Sequence, residues 1–288
     1  MRRFDFVSAF LQGDLEPGEQ IACRPPPGYE TLGDDGNHKI WRVLKPIYGM
    51  QQGGRRWQRS LFPWFTALGF RQCEADNCVF AMTTAGDALY VGCYVDDLFI
   101  LYLQDGADSL YASFTHKLAQ RWEVEDEGEV ADLLNIEISR QSASVTLRQT
   151  AYIDKLTKEW FPEGPPAHVQ LNSVPHPENI RELVIHATGE GAAPADPTLI
   201  NKYRKLVGAL LYAATSTRPD IAYATSMLCR AMSKPTDELL AAALRVLAYL
   251  SRHKHVGLRY TPCTRPLEGF ADADWAVRHS QSGFVFQL

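Results

Sequence analysis

Two neighbouring carboxylates, Asp96 and Asp97, follow Tyr94-Val95 and stand between apolar runs at residues 89–95 and 98–102. That pattern predicts a buried β-hairpin with the acids at its tip. Like charges held this close resist ionising together. A bound Mg²⁺ removes the conflict, because it takes hard oxygen ligands and keeps water sites open to phosphate oxygens. An exposed acidic turn is the alternative, and these four residues alone do not separate the two. Asp5 raises the same question, since it interrupts the apolar run Phe4-Asp5-Phe6-Val7-Ser8-Ala9-Phe10. A buried carboxylate must be paired or bind a metal. Two acidic strands side by side would suit two Mg²⁺ ions about 3.5–4 Å apart, the arrangement for in-line phosphoryl displacement.

The elements that would position these acids can be read from periodicity. The first hundred residues read as strands and turns: an apolar run at 4–11, strands at 20–24 and 39–44, and a Pro25-Pro26-Pro27-Gly28 loop. Trp57, Leu61, Phe65 and Leu68 have helical spacing, with Gly69 as the stop and Pro63 as an expected kink. A helix is expected at 111–122 and a short strand pair near 133–138 and 144–148. Residues 162–197 are rich in Pro, Gly, Asn and Ser and read as a linker. Three helices are expected beyond it, at 197–214, 219–232 and 236–252, the last with Thr236 as N-cap and Asp237 and Glu238 in its first turn.

Composition is globular, with 45% hydrophobic and 22% charged residues. No apolar run reaches the length of a membrane span, and the N-terminal residues lack a secretory core, so an intracellular protein without a membrane partner is expected. The six cysteines are scattered without a zinc pattern and read as reduced thiols. The net charge of −5 argues against a polyanionic partner, but charge is unevenly placed. Residues 104–138 hold nine acids against Lys117 and Arg121, while residues 200–260 hold ten Lys or Arg against three acids. That basic stretch fits a polyanion or a solvated helical surface equally well.

Beyond the acids, the longer motifs resemble one family, the copia-type retrotransposon reverse transcriptases. Residues 4–15, from Phe4-Asp5 to Asp14-Leu15, look like its first palm motif. Leu44-Lys45-Pro46-Ile47-Tyr48-Gly49-Met50-Gln51-Gln52, ending in Arg55-Arg56-Trp57, is similar to its "LYGLKQ…W" segment, and Tyr94-Val95-Asp96-Asp97 to its third signature. Tyr203 to Tyr212, Thr217 to Ala224, the Arg245…Tyr249-Leu250 helix and Phe270 to Ala276 match further motifs in the same order. The resemblance implies an α+β fold: a polymerase palm of antiparallel sheet with packed helices, a helical thumb and connection, and a truncated ribonuclease H-like strand pair. The implied domains are a palm with partial fingers at 1–161, a linker at 162–197, the thumb and connection at 198–262, and the ribonuclease H start at 263–288.

The implied activity is RNA-directed DNA polymerisation, with dNTPs added to a primer 3′-hydroxyl on an RNA or DNA template. Asp5, Asp96 and Asp97 become the acids for two Mg²⁺ ions (Mn²⁺ as the substitute), with Asp97 the weaker ligand. Phe10 would pack under the nucleotide sugar and exclude a 2′-hydroxyl, and Gln52 would lie near the sugar and template. Lys202, Arg204 and Lys205 would contact phosphates, Arg55 and Arg56 would either contact phosphates or stay solvated, and Asp272 would be the first acid of the ribonuclease H remnant. The family reading places the protein in a cytoplasmic virus-like particle or the nucleus. Several positions depart from the family: Gly53-Gly54 replace Ser-Pro, Asn135 replaces a turn glycine, Pro63 enters a helix, and no finger segment precedes Asp5. A chain cut short at both ends, with poor polymerisation and no ribonuclease H activity, is therefore expected. The competing reading is a catalytically dead remnant that at most binds nucleic acid.

Overall fold

A computed structural model of the chain describes residues 1–166, 174–191, 194–262, 267–273 and 282–287. Cys263, Asp274 and part of the expected linker lie outside the described residues. The chain divides into two compact units, Met1–Val130 and Ala131–Leu288. Both are mixtures of antiparallel sheet and packed helices, as the α+β expectation requires. Among the described residues no helix is long and apolar enough to cross a membrane.

In the first unit the elements run β1 (Arg2–Phe6), α1 (Ala9–Gln12), β2 (Ile21–Cys23), β3 (Trp41–Val43), α2 (Gly53–Ala67), β4 (Arg71–Gln72), β5 (Val79–Thr84), β6 (Asp87–Tyr94), β7 (Asp97–Tyr102), α3 (Leu110–Arg121) and β8 (Val124–Glu129). Six of the strands form one antiparallel sheet in the order β4-β5-β6-β7-β1-β8, so the first strand of the chain is inserted between the hairpin and the acidic edge strand. Strand alternation sets its two faces. Phe4, Leu98, Ile100, Leu89 and Val91 go inward to a core that holds Trp57, Leu61 and Phe65 of α2 and Phe114 and Leu118 of α3. Arg3 and Asp5 go to the other face.

Three local features of this unit lie beyond the periodicity. The apolar run at 4–11 is a strand and a helix, not one strand, because Ser8 adopts a left-handed conformation (φ 51°) and turns the chain between them. Pro63 does not break α2, which runs unbroken from Gly53 to Ala67 with Pro63 on an exposed face. The carbonyl that loses its amide partner four residues earlier belongs to exposed Arg59, where water can take the vacancy. The acid-rich stretch after Trp122 is the sheet edge β8, where charge discourages pairing with another chain. Gly69 is the helix stop as expected, at φ 97°.

The second unit contains β9 (Asp132–Leu133), β10 (Ile136–Gln141), β11 (Ser144–Arg148), α4 (Thr150–Trp160), α5 (Ile180–Thr188), α6 (Pro197–Ser216), a 3-10 turn at Pro219–Ile221, α7 (Ala222–Cys229), α8 (Asp237–Arg252), β12 (Leu258–Tyr260), β13 (Glu268–Ala273) and β14 (Ser282–Gln287). Helix α5 lies inside the stretch read as a linker and buries Ile180, Val184 and Ala187, whose helical spacing the Pro-rich flanks conceal. Asn135 sits at φ 62° in the β9–β10 turn, the conformation that makes it an acceptable stand-in for glycine. Thr236 caps α8 by accepting from the Leu239 amide at 3.3 Å. Arg218 is fully buried between these helices. It donates to both carboxylate oxygens of Asp220 at 2.9 and 2.6 Å and to the His253 carbonyl at 3.0 Å. Burial works against the charge on Asp220, but Arg218 and the Tyr249 hydroxyl outweigh it and hold the carboxyl below its usual value.

Candidate active site

Asp5, Asp96 and Asp97 are neighbours in the first unit. β1 and β7 run antiparallel with Asp5 directly opposite Asp97, and paired residues share a face. Asp96 follows Val95 in the two-residue turn of the β6–β7 hairpin, and its carbonyl accepts from the Phe6 amide at 2.8 Å. On its other side Asp5 is opposite Glu125 of β8. The effect is electrostatic: burial first, then the charges of Asp96, Asp97 and Glu127, push the Asp5 carboxyl above its ordinary value, with Arg3 opposing them. Three hard oxygen donors in like-charge conflict are a donor set that suits a divalent cation. Among the described residues, however, no three such groups are drawn together closely enough to hold an ion. Asp97 is turned instead to Arg3, which donates to its Oδ1 at 2.9 and 2.7 Å.

The raised Asp5 carboxyl fixes the sign of a stability effect. The folded state binds more protons than the unfolded chain between the ordinary carboxylate value and the raised one. Stability therefore falls as pH rises through that window, and the penalty is fully present above it. With divalent ions chelated, Asp5→Asn is expected to raise the melting temperature at pH 7 by about 2 °C. The gain should fade as pH falls through that window and be gone below about pH 3, where the carboxyl is protonated in the folded and the unfolded chain alike. Equal melting temperatures at pH 7 would show that Asp5 is not in conflict with its neighbours.

The turn that carries Asp96 is held under strain. Val95 has φ 56°, a left-handed conformation that costs a β-branched residue about 1–2 kcal/mol. The Trp57 indole N–H pins it by donating to the Val95 carbonyl at 2.7 Å, and Trp57 is itself locked edge-on against Phe6 and Trp122. Val95→Gly should leave the fold as stable or firmer by about 0.5–1 kcal/mol, and should slow any reaction that needs Asp96 held in place. Denaturant unfolding checks the first half; a marked loss of stability would mean the turn is relaxed as it stands.

Phe10 of α1 stacks on Tyr48, with ring centroids 4.6 Å apart and planes 28° from parallel. Gly53 backs the pair: a Cβ there would stand 3.3 Å from the Phe10 ring and from the Ile47 carbonyl oxygen. That close approach accounts for glycine at the first of the two departures, Gly53-Gly54. A cavity of about 70 Å³ adjoins, lined by Phe10, Trp57, Leu61, Phe62, Cys93 and Val95. Burial and the charges of Asp96 and Asp5 raise the Tyr48 hydroxyl, which places Tyr48 in the electrostatic reach of the acids. Sequence reasoning gave Tyr48 no role, although it lies in the motif that ends at Gln52. Gln52 is the residue before α2, and its carbonyl accepts from the Arg56 amide at 2.9 Å.

The basic candidates have diverse surroundings. Arg55 is exposed, whereas Arg56 is largely buried in ion pairs with Glu16 and Glu19, and so is neither solvated nor open to a phosphate. In the second unit Lys202 is exposed, Arg204 donates to the Met232 carbonyl at 2.9 Å, and Lys205 pairs with Glu159. Lys254 pairs with Asp154 at 2.8 Å. Part of the basic balance of residues 200–260 is thus neutralised by acids of α4. Asp272 lies on β13, opposite Gly283 of β14, and accepts from the Ala273 amide at 2.9 Å.

Residues 1–161 match the family model described as "Reverse transcriptase (RNA-dependent DNA polymerase)", and the chain belongs to that family. Similar proteins include the retrovirus-related Pol polyprotein from transposon RE1 of Arabidopsis thaliana. It is 32% identical over 279 residues, covering 96% of this chain and 18% of the polyprotein. The corresponding polyprotein from transposon TNT 1-94 of Nicotiana tabacum is 28% identical over 300 residues, or 99% of this chain and 21% of the relative. The copia-type resemblance drawn from the motifs is borne out. The chain spans about a fifth of the length of these relatives.

Proposed function

We propose that this chain is the polymerase core of a copia-type reverse transcriptase, adding deoxynucleotides to a primer 3′-hydroxyl on an RNA or DNA template. The observation that carries the reading is the pairing of Asp5 with Asp97 across β1 and β7, next to the Asp96 turn. Asp5 and Asp96 are the principal candidates to hold Mg²⁺ or Mn²⁺, with Asp97 third. Bound there, the ions would supply charge neutralisation of the triphosphate and a lowered pKa for the attacking hydroxyl. The chain's own part is positioning. The strained Val95-Asp96 turn is tied to β1 by the bond from the Phe6 amide to the Asp96 backbone carbonyl, which fixes where residue 96 presents its carboxylate, and the Phe10–Tyr48 stack offers a flat wall on which a deoxyribose fits and a 2′-hydroxyl does not. Gln52 can donate from its amide to a hydroxyl or phosphate. In this reading the palm with partial fingers spans residues 1–161, followed by a connecting stretch at 162–197 that carries the packed helix α5. The thumb and connection occupy 198–262, with exposed Lys202 facing the duplex backbone, and the ribonuclease H start with Asp272 occupies 263–288. Such an enzyme would work in a virus-like particle or the nucleus.

One observation favours a second reading, a retroelement remnant without catalysis: Asp97 is tied to Arg3. Purified protein incubated with primed RNA template, dNTPs and Mg²⁺ separates the two. Extension that stops on chelation supports the polymerase; no extension with either Mg²⁺ or Mn²⁺ supports the remnant.

A further inference from the structure

Arg3 and Asp5 are two residues apart on β1 and therefore share the open face of the sheet. The Arg3 guanidinium has two carboxylates in reach. Its Nε and Nη2 donate to Asp97 Oδ1 at 2.9 and 2.7 Å, and the same Nε lies 2.8 Å from Glu127 Oε2. Glu127 is available because the β1–β8 register shifts between Arg3 and Phe4. Gly128 is opposite Arg3 and Asp126 opposite Phe4, which leaves Glu127 as the extra residue of a bulge and frees its side chain to re-aim. Gly128 takes φ 90° to make the bend. The guanidinium also lies 5.9 Å from the Phe99 ring centroid.

We propose that Arg3 is a resident counter-cation of the carboxylate cluster, holding Asp97 until a divalent ion displaces it toward Glu127 and so setting how much divalent ion the site requires. The inference rests on the reading of Asp5, Asp96 and Asp97 as metal-binding acids. A guanidinium bonded to Asp97 opposes a dication in two ways: it occupies a ligand oxygen, and it places a like charge within a few ångströms. Release of Asp97 would be prohibitive if it left the guanidinium unpaired in a half-buried site. Glu127 removes that obstacle, since Arg3 already contacts it and keeps that contact when Asp97 leaves. The bulge in β8 thus has a physical use, which is to supply a second acceptor beside the site.

The test is Mn²⁺ binding to the purified chain without nucleic acid or nucleotide, read from the electron paramagnetic resonance signal of free Mn²⁺. Wild type, Arg3→Gln, Arg3→Lys and Asp96→Asn are compared, with thermal unfolding as a check on the fold. Arg3→Gln is expected to bind about tenfold more tightly than wild type. Arg3→Lys, which keeps the charge and loses the two-pronged bond, should fall between them. Asp96→Asn should bind more weakly than wild type. Should Arg3→Gln not fold, Arg3→Lys carries the comparison, and tighter binding than wild type supports the proposal. Binding that depends on Asp96 but is unchanged or weakened when Arg3 is replaced would overturn the counter-cation and leave the metal-site reading standing. Mn²⁺ binding insensitive to Asp96, or none in any of the four chains, would overturn both.

Discussion

In a longer polyprotein fragment that is active in extension, replacing Asp96 by Asn is expected to lower primer extension by about 10³-fold or more while leaving the fold intact, because charge stabilisation in nucleotidyl transfer comes chiefly from the metal-binding acids. The substitution is structurally mild. What ties residue 96 into the sheet is its backbone carbonyl, which accepts from Phe6, and the turn is pinned separately through the Val95 carbonyl. Asn keeps both bonds and nearly the same volume, and removes only the charge. Single-turnover extension on a primed RNA template, alongside circular dichroism and a melting curve, separates lost chemistry from lost structure. A variant that retains a tenth of the wild-type rate would show that Asp96 is an ordinary turn residue.

Phe10→Ala, in the same active fragment, is the second large effect. Discrimination between deoxy- and ribonucleotides should fall by about 10- to 100-fold, and deoxynucleotide use should fall with it. The ring is stacked on Tyr48 on one side and backed by Gly53 on another, which sets its plane beside the acids. Its removal would open the neighbouring cavity of about 70 Å³ and leave Tyr48 unstacked. The measurement is kcat/KM for a dNTP and its matching ribonucleotide on one template. If the ratio stays the same while stability drops, Phe10 belongs to the core and not to the nucleotide site.

What could be read from the sequence follows from which signals are local. The β6–β7 hairpin is legible because apolar runs on both sides of Asp96 and Asp97 demand a buried pair of strands with a polar tip. Helix α2 is legible because Trp57, Leu61 and Phe65 recur every four residues and all three are buried. The glycine-like conformation of Asn135 is legible because few other residue types accept a positive φ there. The insertion of β1 between β7 and β8 is not legible, since pairing of the first strand with one about ninety residues later leaves no periodic trace. Nor is β8, whose acids resemble a solvated loop until β1 is placed beside it.

The same distinction holds within the site. Asp5 stands out because it is a charge where the apolar pattern forbids one, and Asp96 because a second carboxylate adjoins it at the tip of a hairpin. Arg3 does not, being one of two arginines at the start of a strand, and its meaning depends on Asp97 and Glu127 arriving from other strands. Tyr48 lies in a motif but acquires a role only through its stack on Phe10 and its nearness to the acids. Arg56 illustrates the opposite error. It reads as a candidate phosphate contact in sequence, yet Glu16 and Glu19 fold back to claim it.

The most direct test of the central claim asks where a divalent ion binds. Fe²⁺ replaces Mg²⁺ at oxygen-ligand sites, and with ascorbate and peroxide it generates hydroxyl radicals that cut the backbone beside the ion. Mass spectrometry of the products locates the cuts. Cleavage at the Val95-Asp96 turn and within β1 near Asp5, suppressed by excess Mg²⁺ and lost in Asp96→Asn, is the predicted result. Cuts confined to other segments, or a pattern at the turn that survives Asp96→Asn, would contradict the assignment of these carboxylates as the polymerase centre.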